Sequence, residues 1–101
     1  MATSVMPDGR IVWLETGDAD RGLLHIIGEH QTDFAKMGAT VSDIPQIVMD
    51  AVTEGNIIGY QPPGVGRPIF VTSFNGQQYK IAVTIGSNGY IVGVNPKGRL
   101  R

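Results

Sequence analysis

The two histidines of the chain, His25 and His30, both lie in the segment GLLHIIGEHQTDFAKMG at positions 22–38. An imidazole has an unperturbed pKa of about 6.5, so histidine can act as a general acid or a general base near neutral pH. Residues five apart on a helix point about 140° away from each other, which is poor geometry for one shared metal ion. The pair therefore favours proton transfer over metal binding.

Two imidazoles beside cationic and hydroxyl groups suffice for RNA cleavage through the ribose 2′-hydroxyl. A base removes the 2′-hydroxyl proton, an acid protonates the leaving 5′-oxygen, and cations stabilise the phosphorane, so no cofactor is required. Arg67 and Thr84 are candidates to hold the non-bridging phosphate oxygens. The sequence has no HExxH, no Gly-Lys-Thr phosphate loop and no Gly-x-Ser-x-Gly elbow. It also has no cysteine, which excludes disulfides, thiolate metal sites and thiol nucleophiles.

Each candidate also has an ordinary structural explanation. His30 lies within an apolar stripe, where a histidine is commonly a core residue with one hydrogen bond, and His25 points off that stripe. Arg67 follows a Gly/Pro-rich stretch and could be a simple surface charge. Thr84 suits any β-strand, and Lys80 could be a solvating lysine. No single residue decides between the catalytic and the structural interpretation.

The spacing of apolar residues predicts a first helix at 22–37, which carries both histidines. Asp18 and Asp20 are its candidate N-terminal caps, and Gly38 is a plausible stop. Its predicted buried stripe is Leu23, Ile27, His30, Phe34 and Met37.

A second helix is predicted at 43–54, with Ser42 as its cap and Gly55 at its end. Pro45 is tolerated so early in a helix. Its predicted buried stripe is Ile44, Ile47, Val48, Ala51 and Val52.

The apolar period changes to two after Gly55, which predicts strands at 56–60, 69–74, 77–85 and 90–95. The segment QPPGVGRP at 61–68 is a loop, and a further short strand is possible at 11–14. Asn75-Gly76 predicts a type I′ hairpin turn, and Asn88-Gly89 predicts a second one.

These turns assign the sheet residues to two faces. The predicted core face holds Phe70, Phe74, Tyr79, Ile81, Val83, Ile85, Val92 and Val94. The opposite face is small, polar and partly basic, and it holds Ile69, Val71, Ser73, Gln78, Lys80, Ala82, Thr84, Gly93 and Asn95. Glycines at 86 and 93 leave room for a ligand close to the backbone of this second face.

Charge is distributed unevenly along the chain, whose net charge is −1. All nine acidic residues lie in the first 54 positions, and the remaining half has no Asp or Glu but five basic residues. A basic face can bind a polyanion even when the total charge is near zero, although chance clustering is the alternative. Lys80, Lys97, Arg99 and Arg101 would supply salt-sensitive affinity for a nucleic-acid backbone.

Size and composition predict one globular domain. The order of the predicted elements makes it α+β, with two N-terminal helices on one face of a twisted antiparallel sheet of about four strands. The chain has 101 residues, of which 42% are hydrophobic and 17% charged, a balance typical of a globular protein. Its apolar runs are shorter than the ~20 residues that span a bilayer, and the N-terminus lacks the features of a signal peptide. Residues 1–21 are predicted to be an N-terminal extension, and residues 22–101 the domain proper.

Several blocks in order resemble the C-terminal RNase toxin domains of contact-dependent growth inhibition effectors. The blocks are GLLHIIGEHQTDF, SDIPQIVMDAVTEGNIIGY, GRPIF and KIAVTIGSNGYIVGVNP, within residues 22–96. The resemblance implies a barnase–EndoU–colicin–RelE fold with its active site on the open sheet face. It also implies metal-independent cleavage of RNA, commonly tRNA, in the cytosol of a target bacterium. The domain would be part of a larger secreted effector, and a cognate immunity protein would block its site.

The family's motifs map onto His25, His30, Arg67 and Thr84 as catalytic residues. Candidate substrate-binding residues are Ser87, Asn88 and Tyr90, from the strand block, together with Lys80 and Lys97. Many relatives have a basic residue just before the second histidine, where this chain has Glu29, so a phosphate-binding role is not expected there.

Two other functions are compatible with the same residues. One is a non-catalytic module that binds RNA or protein on the same scaffold. The other is a structural domain of a phage or secretion system, in which the Gly/Pro loop is only a connector. Loss of toxicity on substitution of the histidines would distinguish the enzyme from both.

Overall fold

A computed structural model of the chain describes residues 2–61 and 67–100. Its elements in order are β1 (Ala2–Val5), β2 (Ile11–Leu14), α1 (Leu23–Ala35), a 3₁₀ turn (Val41–Asp43), α2 (Ile44–Glu54), β3 (Ile57–Tyr60), β4 (Pro68–Phe74), β5 (Gln77–Ile85) and β6 (Ile91–Arg99). The predicted α+β class is confirmed: two α-helices accompany a four-stranded antiparallel sheet in the order β3-β4-β5-β6 and a separate hairpin, β1-β2. In the part of the chain so described, no helix is long and apolar enough to cross a bilayer.

The start of α1 is held by backbone groups rather than by the predicted aspartate caps. Gly22 is the N-cap residue and no side chain caps the helix. The carbonyl oxygens of residues 15–16 accept the first two helical N–H groups at 2.9 Å, and the Gly22 N–H donates to Val92 of β6. Asp18 instead accepts the N–H of Asp20 within the preceding loop. The helix start is therefore tied to the segment after β2 and to β6.

The buried face of α1 differs from the predicted stripe. Ile26, which the stripe omitted, is fully buried together with Phe34, while Ile27 is only half-buried. His30 lies between Ile26 and Phe34 on the helix wheel, yet 26% of its side chain is exposed. This exposure follows from a cavity that opens beside His30.

The second helix follows its predicted pattern. All five residues of the predicted stripe are buried, and the helix ends at Gly55, which adopts the left-handed conformation. The predicted cap at Ser42 is not formed: Asp43 is the N-cap residue of α2, and no side chain caps the helix. The carboxylate of Asp43 instead closes the preceding 3₁₀ turn, where it accepts hydrogen bonds from the N–H (2.8 Å) and the hydroxyl (2.9 Å) of Thr40. This helix packs mainly against β1 and β4, whereas α1 packs mainly against β6, the last strand of the sheet.

The predicted register of the first hairpin is confirmed. Asn75 and Gly76 both have positive φ, as a type I′ turn requires, and Phe74 pairs with Gln77. The second turn is longer than predicted, because the N–H of Gly86 donates to Tyr90 and the register shifts after Thr84.

The longer second turn changes the core. Ile85 pairs with Ile91 instead of Val92, so Ile91 is fully buried and Val92 is not part of the core. Beyond the shift, Val83 pairs with Val94 as predicted. On the opposite face, Thr84 and Asn95 are partly accessible, but Val71 and Ala82 are buried.

The N-terminal hairpin shares the core of the rest of the molecule. Met6, Val12 and Leu14 are buried in the same cluster as the sheet and helix residues. The backbone N–H of Trp13 donates to the carbonyl of Gly89 at 3.0 Å. The Trp13 and Tyr90 rings pack edge to face, with their centroids 6.0 Å apart. The hairpin therefore contacts the β5–β6 turn directly.

This contact predicts different costs for alanine at two glycines that both have positive φ. A Cβ at Gly89 would collide with the carbonyl oxygen of Ile11, whereas a Cβ at Gly76 would meet no atom within 4 Å. Gly76→Ala should cost about 1 kcal/mol of unfolding free energy, from the left-handed backbone alone. Gly89→Ala should cost about 2 kcal/mol more, from overpacking. Urea denaturation measures both, and equal losses would contradict the docking of the hairpin on this turn.

Candidate functional site

One cavity of about 200 Å³ contains all four residues that the sequence predicts to be catalytic. Three parts of the fold surround it: α1, the ends of the segment that joins β3 to β4, and the face of β5 and β6 turned away from the core. Its lining residues are His25, His30, Gln61, Arg67, Ala82, Thr84, Gly93, Val94 and Asn95.

The floor of the cavity is formed by neighbouring residues of β5 and β6. Thr84 pairs with Gly93, and Ala82 pairs with Asn95, so their positions adjoin on the same face. Gly93 lies directly beneath the ring of His25, close enough that a Cβ there would be in van der Waals contact with it. A Cβ at that glycine would lie 3.4 Å from Cδ2 and 3.5 Å from Nε2 of the imidazole. The imidazole edge that carries Nε2 therefore lies directly over β6.

His25 is oriented by the loop before its helix. Its Nδ1 lies 2.8 Å from the carbonyl oxygen of Ala19. Because a carbonyl oxygen only accepts hydrogen bonds, Nδ1 carries a proton and donates it. In a neutral ring Nε2 then has a free lone pair. That nitrogen is available to take a proton from a ligand in the cavity.

His30 is oriented by a carboxylate from its own helix. Its Nδ1 donates to Oδ2 of Asp33 at 2.8 Å, one helical turn further on. This bond leaves Nε2 as the nitrogen that a ligand can reach. The i, i+3 spacing of His30 and Asp33 is visible in the sequence and is the pattern by which this partner could have been found.

Two hydrogen bonds, which we call the clip, hold Arg67 at the cavity by joining the two ends of the β3–β4 segment to each other and to β6. The N–H of Gln61 donates to the carbonyl of Arg67 at 2.9 Å, which closes the two ends of that segment. The side-chain carbonyl of Gln61 accepts from Nδ2 of Asn95 at 3.1 Å, which ties the clip to β6. Most of the predicted loop at 61–68 lies outside the described residues, which omit 62–66, and so does Arg101.

The described lining of the cavity suits an anion. It contains one guanidinium, two imidazoles, a hydroxyl and two side-chain amides, and no carboxylate. Asp33 contacts the far side of the His30 ring and does not line this cavity. Within residues 2–61 and 67–100, no three His, Asp or Glu side chains are grouped closely enough to hold a metal ion.

The remaining predicted binding residues lie elsewhere. Lys80 is half-buried on β5, and Ser87 is exposed in the β5–β6 turn. Asn88 accepts the N–H of Tyr90 at 3.1 Å, so it stabilises that turn. Lys97 lines a second cavity. Their roles in substrate binding stay predictions.

Two polar groups of the cavity, Gln61 and Asn95, were not among the predicted site residues. Strand alternation already put Asn95 on the polar face beside Thr84, so its position could be found from sequence. Gln61 gave no such pattern, because the Pro/Gly-rich sequence that follows it carries no strand alternation. Its place at the cavity depends on the pairing of β3 with β4.

The two hydrogen bonds at Nδ1 predict the tautomers of both rings. In their neutral forms, His25 and His30 should each be protonated at Nδ1, which ¹⁵N NMR of the imidazoles measures directly. Asp33→Ala should remove this preference at His30 and leave His25 unchanged, since the acceptor of His25 is a backbone carbonyl. An Nε2-protonated ring at either position would contradict the geometry.

Comparisons with protein-family models and with curated proteins gave no significant match to this chain. The functional argument therefore depends on the geometry of the cavity and the chemistry of its side chains. The resemblance to growth-inhibition toxin domains stays a prediction.

Proposed function

We propose that this protein is an endoribonuclease that cleaves RNA, with tRNA as the proposed substrate, by acid/base transesterification to a 2′,3′-cyclic phosphate. The observation that carries the proposal is the convergence of His25, His30, Arg67 and Thr84 on one cavity without a lining carboxylate among the described residues. Such a lining suits a phosphodiester, and the two rings supply both proton transfers. The chemistry requires no cofactor.

His25 is the proposed general base. Its Nδ1–H donates to a neutral backbone carbonyl, which fixes the ring with the Nε2 lone pair free. That nitrogen takes the proton of the ribose 2′-hydroxyl as the oxygen attacks the phosphorus.

His30 is the proposed general acid. Its Nδ1–H donates to the carboxylate of Asp33, and an imidazolium makes this hydrogen bond in its stronger, charge-assisted form. The proton on Nε2 then passes to the leaving 5′-oxygen as its bond to phosphorus breaks. Asp33 is a positioning residue in this scheme, because it acts through His30.

Arg67 and Thr84 are the proposed partners of the non-bridging phosphate oxygens. The planar guanidinium of Arg67 matches two oxygens of one phosphate, and its attraction grows as the phosphorane gains charge. The hydroxyl of Thr84, in the cavity floor, can donate a hydrogen bond to the same group.

The wider context of the proposal comes from the resemblance. It comprises a barnase–EndoU–colicin–RelE fold with both helices on one face of the sheet. It also comprises a role as the toxic C-terminal domain of a secreted effector that acts in the cytoplasm of a target bacterium. A cognate immunity protein would bind and block the site.

A non-catalytic RNA-binding module is the second candidate, and the absence of acidic residues after position 54 favours it as much as it favours the enzyme. Cleavage itself separates the two. Purified protein in EDTA should cut total tRNA and leave 2′,3′-cyclic phosphate ends, which end-group analysis detects. Intact tRNA at micromolar protein would contradict the ribonuclease and leave the binding module.

The assignment of acid and base predicts different responses to the leaving group. With an RNA substrate, His25→Ala and His30→Ala should each lower kcat by about 10²–10⁴. With a uridine 3′-phosphate aryl ester, whose phenolate leaves without protonation, His30→Ala should lower kcat far less than it does with RNA. His25→Ala should lower kcat as much as with RNA, because the 2′-hydroxyl still needs a base.

The reverse pattern on the aryl ester would exchange the two roles. Equal losses from both variants on both substrates would contradict separate acid and base functions. Circular dichroism checks that each variant is folded.

Removal of the guanidinium should impair the transition state more than substrate binding. Arg67→Ala should lower kcat by about 10²–10³, the usual cost of losing one donor to a developing charge. Arg67→Lys should recover only part of this, since an ammonium lacks the planar fork. Arg10→Ala, which removes an exposed cation near the N-terminal hairpin, is the charge-matched control and should leave kcat unchanged.

A further inference from the structure

A second cavity of about 360 Å³ lies between the C-terminal end of α1, the start of β5 and the end of β6. Lys36 and Met37 come from the end of the helix, Tyr79 from β5, and Lys97 and Arg99 from β6. Neither of the proposed catalytic histidines lines this cavity.

The two cavities are adjacent along two separate elements. On α1, Asp33 lines the second cavity and is hydrogen-bonded to His30, which lines the first. On β6, Asn95 lines the first cavity and the next residue, Pro96, lines the second. An RNA chain with one phosphate at the histidines can therefore continue into the second cavity.

The second cavity combines the two surfaces that a nucleotide needs. Met37 and Tyr79 are buried, with 5% and 7% of their surface exposed. Together with Pro96 they form an apolar floor for the cavity. Lys36, Lys97 and Arg99 are cations at the same cavity, and Lys36 and Arg99 are exposed. Among the described residues, its one lining carboxylate is that of Asp33, which already accepts a hydrogen bond from His30. The remaining charge is cationic and complements a phosphate.

We propose that this cavity binds the nucleotide next to the scissile phosphate, with its base on the apolar floor and its phosphate on the cations. This inference rests on the proposed ribonuclease function and narrows its substrate. A base can turn onto a protein surface only where it is unpaired. The preferred substrate is therefore a single-stranded RNA segment, such as a loop, that continues beyond the cleaved linkage.

The test compares two RNA substrates with the full chain. One is an oligonucleotide of about ten nucleotides, a length in the range that single-strand binding sites cover. The other is the dinucleotide that contains only the cleaved linkage. Lys36→Ala/Arg99→Ala should raise KM about tenfold for the oligonucleotide and leave kcat/KM for the dinucleotide unchanged. Each phosphate-binding cation that is removed should also make the dependence of log KM on log salt shallower by about 0.7.

Arg10→Ala removes one exposed cation, as each single substitution of the double variant does, and should leave the kinetics with both substrates unchanged. Arg99→Gln alone, with a smaller effect in the same direction, replaces the double variant if that variant fails to fold. No effect on the oligonucleotide, or equal effects on both substrates, would overturn the inference while cleavage by the unaltered chain upholds the proposed function.

A different result would separate the two failures. If the unaltered chain cleaves neither substrate, the proposed function is wrong. Binding of an uncleavable 2′-O-methyl oligonucleotide then tests whether the second cavity binds a nucleotide. Affinity that drops about tenfold in Lys36→Ala/Arg99→Ala would support a nucleotide site at this cavity. Undetectable binding, or binding that these substitutions leave unchanged, would overturn it.

Discussion

The packing of α1 against β6 is the contact on which the candidate site depends. Ile26 and Phe34 are fully buried in the core, and burial of side chains of this size is worth about 1.5–3 kcal/mol each. The hydrogen bond from Gly22 to Val92 fixes the helix start on the same strand. With the helix anchored at both ends, its two imidazoles reach the cavity above β5 and β6. One of these rings, that of His25, lies directly over Gly93 of β6.

The two histidines differ in what holds them, although they share one helix and one cavity. A neutral carbonyl orients His25, and a carboxylate orients His30. In the proposed mechanism this difference gives the site a direction, with the base on one side of the phosphate and the acid on the other. The arrangement is economical, because Asp33 orients His30 from outside the first cavity and so adds no negative charge to its lining. The same carboxylate forms the boundary with the second cavity.

The acidic half of the chain forms the first hairpin and the helices, and the half without acids forms the sheet. The proposed phosphate contacts follow this division, because Arg67 directly precedes β4, and Lys97 and Arg99 lie on β6. Lys36 is the exception, since it comes from the end of α1. The N-terminal hairpin supports the sheet through Trp13 at the β5–β6 turn. It is thus part of the scaffold behind the site.

The sequence by itself determined the local features, since these depend on neighbouring residues. The 3.6-residue period of α2, the type I′ turn at 75–76 and the alternation of β5 are of this kind, and through them Thr84 was assigned to the polar face. Only the tertiary structure decided that Ile91 replaces Val92 in the core, because a longer turn shifts the register beyond Thr84. It also decided the backbone cap of α1 and the position of Gln61, both of which depend on residues distant in sequence. Convergence of His25, His30, Arg67 and Thr84 is likewise tertiary, because it requires α1, β5 and the residue before β4 to meet at one cavity.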